Sequence, residues 1–191
     1  MIDLKDQKLV LASASPRRKE LLSGLNIPFE IRINDLDEDY PPEMDADTIA
    51  IYLAEKKADF YFQDKDEKEI IITCDTTVVM NGKVYNKPID KKDALRMLKT
   101  LSGNDHEVIT GVCIRSYKKS VSFDTRSYVK FKELEDDEIN YYIDHYKPFD
   151  KAGSYGIQEW LGYIAIEKIE GSYFNIMGLP VHRIYEELKR F

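Results

Sequence analysis

One run in the middle of the chain, Ile70-Ile-Ile-Thr-Cys-Asp-Thr-Thr-Val-Val-Met80, constrains the fold more than any other. β-Branched side chains lose rotamer freedom in a helix and pack well on a pleated surface, so the run predicts a strand. It stops at Asn81-Gly82, two residues that tolerate the positive φ of a tight hairpin, and returns through Val84-Tyr85. Asp75, in its centre, is out of place on packing grounds, because an unpaired buried carboxylate is costly. Such a residue is paired, metal-bound or at a strand end in a cleft. The alternative is a position on the solvent face of the strand.

Helical and strand patterns alternate around this hairpin, which predicts an α/β chain with a mixed sheet, not a purely parallel one. Leu9 to Ala12 reads as a strand running into a helix that ends near Leu25, and Phe29 to Ile33 alternates as a half-buried strand. After an acidic loop, Asn34 to Glu43, Asp47 is the predicted cap of a helix with Ile49, Ala50, Leu53, Ala54, Ala58 and Phe62 inward. A charged loop, Gln63 to Glu69, precedes the central strand. Asp90 begins a helix with Ala94, Leu95, Leu98 and Leu101 inward, stopped by Ser102-Gly103. Val108 to Ile114 and Ser120 to Phe131 read as an antiparallel pair. Asp136 or Asp137 caps a helix carrying Ile139, Tyr142 and Ile143, Trp160 to Ile169 reads as a strand or hairpin, and Leu179 to Leu188 as a last helix.

The opening segment, Ser13-Ala-Ser-Pro-Arg-Arg-Lys19, places hydroxyls, free backbone N–H groups and three cations at one helix N-terminus. Such a place suits a polyphosphate. An ordinary capped helix with a solvated basic turn is the alternative reading, and Lys19 fits it best. Among 191 residues, 28 Lys+Arg against 35 Asp+Glu leave a net charge of −7. With no basic block, the chain is a poor candidate for nucleic-acid binding, although converging cations can still hold a small anion. No apolar run could span a membrane and the N-terminus is too polar for a signal peptide, so the cytoplasm is the expected compartment. Cys74 and Cys113 lack a metal-ligand or disulfide spacing and read as buried thiols.

Glu38, in the acidic loop, could join Asp75 in holding magnesium or manganese, with phosphates and water completing the shell. Otherwise it is a solvated loop carboxylate. Lys57 reads as a surface lysine of its helix unless it reaches a site. Lys87, held extended before Pro88, can reach a phosphate as a point charge or stay in an exposed turn. Gln158 follows a glycine-rich loop and carries an amide able to read a pyrimidine edge, or is simply a polar loop residue. His106, His145 and His182 neighbour no nucleophile pattern and read as non-catalytic, and neither a covalent hydrolase nor a P-loop motif is present.

Taken in order, Ala12-Ser-Ala-Ser-Pro-Arg-Arg-Lys-Glu-Leu-Leu22, Cys74-Asp-Thr-Thr-Val-Val79, Asn86-Lys-Pro88, Leu101-Ser-Gly103 with His106-Glu-Val-Ile-Thr-Gly-Val112, Asp150-Lys-Ala-Gly-Ser-Tyr-Gly-Ile-Gln158 and Ile169-Glu-Gly-Ser-Tyr-Phe-Asn-Ile-Met-Gly-Leu-Pro-Val181 closely resemble the Maf family of nucleoside triphosphate pyrophosphatases. The resemblance covers essentially the whole chain as a single domain, residues 1–191. It implies an elongated twisted sheet flanked by helices, two lobes around a central cleft in the manner of inosine triphosphatases, and a homodimer. It also implies metal-assisted hydrolysis of a nucleoside triphosphate to the monophosphate and pyrophosphate. Arg17, Thr76 and Gln158 match the positions that mark the branch acting on dTTP and UTP, modified pyrimidine nucleotides being a further substrate class. The same resemblance implies Asp75 as general base and Glu38 with Asp75 at the Mg2+ or Mn2+ site. It makes Ser13, Ser15, Arg18, Lys57 and Lys87 phosphate-binding. Cys74 departs from the small residue expected there, and Asp37-Glu38-Asp39 leaves the register of the metal carboxylate open by one. A non-catalytic nucleotide sensor linked to cell division is the rival, against which the retained Asp75, Lys57 and Lys87 argue. A pyrophosphatase for aberrant purines would not need Arg17, Thr76 and Gln158.

Overall fold

The computed structural model describes residues 2, 4, 6–33, 36–62 and 67–191. The first two residues of the acidic loop and positions 63–66 of the charged loop lie outside them. Among the described residues the strands are β1 (Lys8–Leu11), β2 (Phe29–Ile31), β3 (Glu69–Met80), β4 (Lys83–Tyr85), β5 (Asp105–Ser116), β6 (Ser120–Phe131) and β7 (Ile166–Glu170). The helices are α1 (Pro16–Ser23), α2 (Ile49–Tyr61), α3 (Lys91–Leu101), α4 (Asp136–Tyr146), α5 (Trp160–Ala165), α6 (Tyr173–Ile176) and α7 (Val181–Leu188). The hydrogen-bonded strand order is β2-β1-β3-β5-β6-β7, with β4 also on β3. β1 runs parallel to β2 and to β3, whereas β4 pairs antiparallel with β3 and β7 with β6. The sheet is mixed, as the pattern of hairpin and crossover helices requires.

The chain divides into two compact units. One comprises Met1–Asp75, Thr110–Thr125 and Gly178–Phe191, and the other Thr76–Ile109 and Arg126–Met177. In the first, β1 pairs Lys8 to Leu11 with Glu69 to Ile72 of β3, and Leu9, Val10, Leu11, Ile70 and Ile72 are almost wholly buried. Helix α2 lies close against β3 and β5 for two local reasons. Thr73 Oγ1 donates to the Ala54 carbonyl at 2.6 Å. Gly111 leaves no room for a side chain, since a Cβ there would stand 2.3 Å from the Ala50 backbone.

In the second unit the Asn81-Gly82 turn has the two positive φ values, 52° and 70°, of a tight hairpin. Helices α3 and α4 pack together over a core that includes Leu98, Leu101, Phe131, Ile139, Tyr142 and Tyr155. Three local expectations are corrected here and in the first unit. Asp45, not Asp47, caps the entry to α2: its side chain accepts from Asp47 N, and a 3-10 turn, Ala46–Thr48, leads in. Glu135, not Asp136 or Asp137, caps α4, and Glu138 reaches back to the Glu135 N–H at 3.0 Å. The stretch from Trp160 is helical to Ala165 before β7 begins, and this packs Gly162 against the Ile157 carbonyl, where a Cβ would come within 1.8 Å.

Candidate active site

The opening motif of the first unit folds as its residue types dictate. Pro16 takes the first position of α1, Ser15 caps it by accepting from Arg18 N at 3.4 Å, and Ser13 Oγ accepts from Ser15 N at 3.2 Å. Three cations in a first turn oppose the helix dipole, and Arg18 meets this by bonding acceptors elsewhere. Its guanidinium donates to the Gly178 carbonyl and to the Cys74 carbonyl, each at 3.0 Å, and to Ser13 Oγ at 3.5 Å. Arg18 therefore ties the helix N-terminus to the residue preceding Asp75. Arg17 is half-buried on the same turn and Lys19 is exposed.

Asp75 is 7% exposed, and its Oδ1 accepts from Lys57 Nζ at 2.6 Å. The same ammonium lies 2.7 Å from Glu38 Oε1. One lysine thus gathers a strand carboxylate and a loop carboxylate. Burial would lower the lysine's pKa, and Arg18 opposes its charge as well. Attraction to Asp75 and Glu38, with the hydrogen bond to Asp75, outweighs both and holds it above the ordinary lysine value. Burial pushes the adjoining Cys74 thiol up against the pull of Arg18 and Lys57, which fits an inert packing thiol. Both cysteines are unpaired with one another and buried.

Two hard oxygen donors already converge on one cation here, a donor set that suits magnesium or manganese. Among the described residues no cluster of three or more His, Cys, Asp or Glu side chains is placed to hold a metal. Phosphate and water oxygens would have to complete any shell at Glu38 and Asp75.

The remaining residues singled out in the sequence belong to the second unit. Thr76 is half-buried on β3, and Lys87 is exposed in the bend after β4. That bend is tethered by Gly153 N, which donates to the Asn86 carbonyl at 3.3 Å. Gln158 is half-buried in the turn before α5, and its Oε1 is enclosed without a hydrogen-bond partner. The Thr77 hydroxyl on β3, also enclosed, has none either. His106 belongs to the core of the second unit, where its Nε2 shares a 2.8 Å hydrogen bond with the Tyr155 hydroxyl.

Sequence reasoning missed the partners of Arg18. The signal available was Gly178, whose φ of 107° exposes a carbonyl in a turn only glycine adopts readily. It also missed the buried network of Lys151, Glu159 and Tyr142, for which the signal was a lysine inside an otherwise small and apolar run.

A model of the Maf-like protein family matches residues 8–191. This chain belongs to the Maf-like protein family. Among curated relatives, it is 52% identical over 195 residues to a dTTP/UTP pyrophosphatase of Porphyromonas gingivalis, covering 100% of this chain and 98% of the relative. It is 53% identical over 190 residues to a dTTP/UTP pyrophosphatase of Parabacteroides distasonis, covering 99% and 98%. A solved nucleoside-triphosphatase, a dITP/XTP pyrophosphatase from Mycobacterium abscessus, is a distant likeness only. Its TM-score is 0.44 at 12% identity, over 95% of this chain and 94% of that one. In this Maf-like protein no described helix is long and apolar enough to cross a membrane.

Proposed function

We propose that this Maf-like protein hydrolyses dTTP and UTP to the nucleoside monophosphate and pyrophosphate; its half-identical relatives are named dTTP/UTP pyrophosphatases. The observation that carries the reading is the Lys57 ammonium bound at once by Asp75 and Glu38, next to the Cys74 carbonyl of β3 that Arg18 holds. A buried carboxylate held by a fixed counter-charge has a defined orientation. Lys57 occupies Oδ1, which leaves the other oxygen of Asp75 to orient a water and accept its proton as that water opens the α–β phosphoanhydride and pyrophosphate departs.

Ser13, Ser15, Arg17, Arg18 and the free N–H groups of α1 supply donors to the phosphates, with Lys57 and Lys87 as further cations. In this reading Arg17, Thr76 and Gln158 select the pyrimidine nucleotide, Gln158 through the enclosed Oε1 that lacks a protein donor. Glu38 and Asp75 would hold Mg2+ or Mn2+, which when bound neutralises phosphate charge. The acting form in this reading is a homodimer.

The test is pyrophosphate release from a nucleotide panel, with and without each metal. Wild type should favour dTTP and UTP, and Asp75→Asn should lose about 10²–10⁴-fold in rate. Near-wild-type turnover by Asp75→Asn would remove Asp75 as the base. Nucleotide binding without release from any member of the panel would favour a sensor.

A further inference from the structure

In the second unit, the turn that carries Gln158 is held from beneath by a network that none of the catalytic roles above uses. Lys151 is 8% exposed, an unusual place for a lysine, and its Nζ lies 2.7 Å from Asp150 Oδ1 and 3.1 Å from Glu159 Oε1. The other oxygen of Glu159 accepts from the hydroxyl of Tyr142, a residue with no exposed surface on α4. That hydroxyl in turn accepts from the Gly156 N–H at 3.0 Å. Glu159 N donates to the Gly156 carbonyl at 3.0 Å, closing a turn around Ile157 and Gln158.

Packing enforces the same geometry. A Cβ on Gly156 would meet Glu159 Cδ at 2.9 Å and Lys151 Cε at 3.1 Å, so the backbone rests directly on the ion pair. The turn is thus fastened at both ends: at Gly156 by the phenol, at Glu159 by the lysine and the phenol together. Between them Gln158 keeps an enclosed Oε1 with no partner. An amide acceptor left unsatisfied in a rigid turn is costly unless a donor is brought to it. Burial, aided by Glu159, pushes the Tyr142 phenol up, so it stays a neutral donor throughout the working pH range.

We infer that Lys151, Glu159 and Tyr142 are positioning residues for nucleobase selection, acting through the Gly156–Glu159 turn to hold the Gln158 amide where a pyrimidine N–H can reach it. The inference rests on the reading of Gln158 as the base-selecting residue. It predicts that selectivity depends on groups that never touch the nucleotide.

The experiment compares wild type, Tyr142→Phe, Lys151→Met, Gln158→Ala and the double variant Tyr142→Phe/Gln158→Ala. Each is measured for kcat and KM with dTTP, UTP and a purine triphosphate, after thermal melts have established folding. Tyr142→Phe should reduce the dTTP-to-purine ratio of kcat/KM roughly tenfold, with KM rising more than kcat falls. In the Gln158→Ala background the same substitution should change the ratio no further, because the two act as one unit. Losses that multiply in the double variant, or a ratio unmoved by Tyr142→Phe, overturn the inference. Glu159→Gln keeps the acceptor for Tyr142 and removes the charge opposite Lys151. It should lose less selectivity than Tyr142→Phe, and it replaces Lys151→Met as the test of the ion pair if that variant does not fold. If Gln158→Ala itself leaves the ratio unchanged, the reading of Gln158 fails, a result separate from any failure of the network.

Discussion

At the scale of single residues, Lys57 decides most about the candidate site, and it was the residue least visible as special. A lysine in Glu55-Lys-Lys-Ala58 reads as a solvated helix surface. The missed signal is its register: Ala50, Leu53, Lys57 and Tyr61 fall on one stripe of α2, and the other three are buried. A cation on an apolar stripe demands a carboxylate partner, and Asp75 is the partner. Removing it by Lys57→Met leaves that carboxylate buried without its counter-charge and should destabilise the protein by about 3 kcal/mol. Urea unfolding measures this, and adding Asp75→Asn should recover part of the loss if the two residues form one unit. His106 tests a different burial effect. Enclosed against Phe131 and Tyr155, it has its pKa pushed down by burial to about 4. The unfolded chain therefore binds a proton at higher pH than the folded one. Stability should fall as pH drops from about 6.5 towards 4, by roughly 3 kcal/mol from this group. Denaturant titrations across that window should show a flatter pH dependence in His106→Phe.

Among the elements, those with a strong local signal were legible and their ends were not. The β-branched run gave β3, and Asn81-Gly82 gave its hairpin, because both signals come from sterics within a few residues. The caps of α2 and α4 were misplaced by one or two positions. Several acidic residues stand in line before each helix, and which of them turns back to the backbone depends on how the helix is docked. The segment from Trp160 was read as extended because its apolar residues suit either state. In the structure it is helical to Ala165, with Gly162 lying close against Ile157. Glycine carries the same information at Gly111, where α2 and β5 meet. Gly111→Ala would drive a methyl into the Ala50 backbone, and overpacking of this kind should cost about 3 kcal/mol. A lowered urea midpoint with an unchanged slope is the expected result. Since α2 carries Lys57, turnover of dTTP should fall in the same variant even at temperatures where it remains folded.

For the molecule as a whole, net charge and His106 act in the same pH range. The isoelectric point is about 5.1, so the repulsion that a charge of −7 supplies at neutral pH vanishes where burying a neutral His106 begins to cost stability. Light scattering should therefore rise to a maximum near pH 5 and fall again towards pH 7. Composition, the alternation of strands and helices, and the ordered motifs determined on their own that this is a mixed α/β chain of the Maf-like family, with Asp75 in an anomalous position. Those features are local or additive along the chain, so reading them needs no coordinates. The tertiary structure decided what faces Asp75: Lys57 from 18 residues before it and Glu38 from the loop before that. It also decided that Arg18 holds the Cys74 carbonyl and that Lys151 and Tyr142 fasten the turn of Gln158. A buried polar group is stable only with its partner in place, and the partner is fixed by packing between elements distant in sequence. One chain of residue types cannot show which partner encloses each of its buried charges.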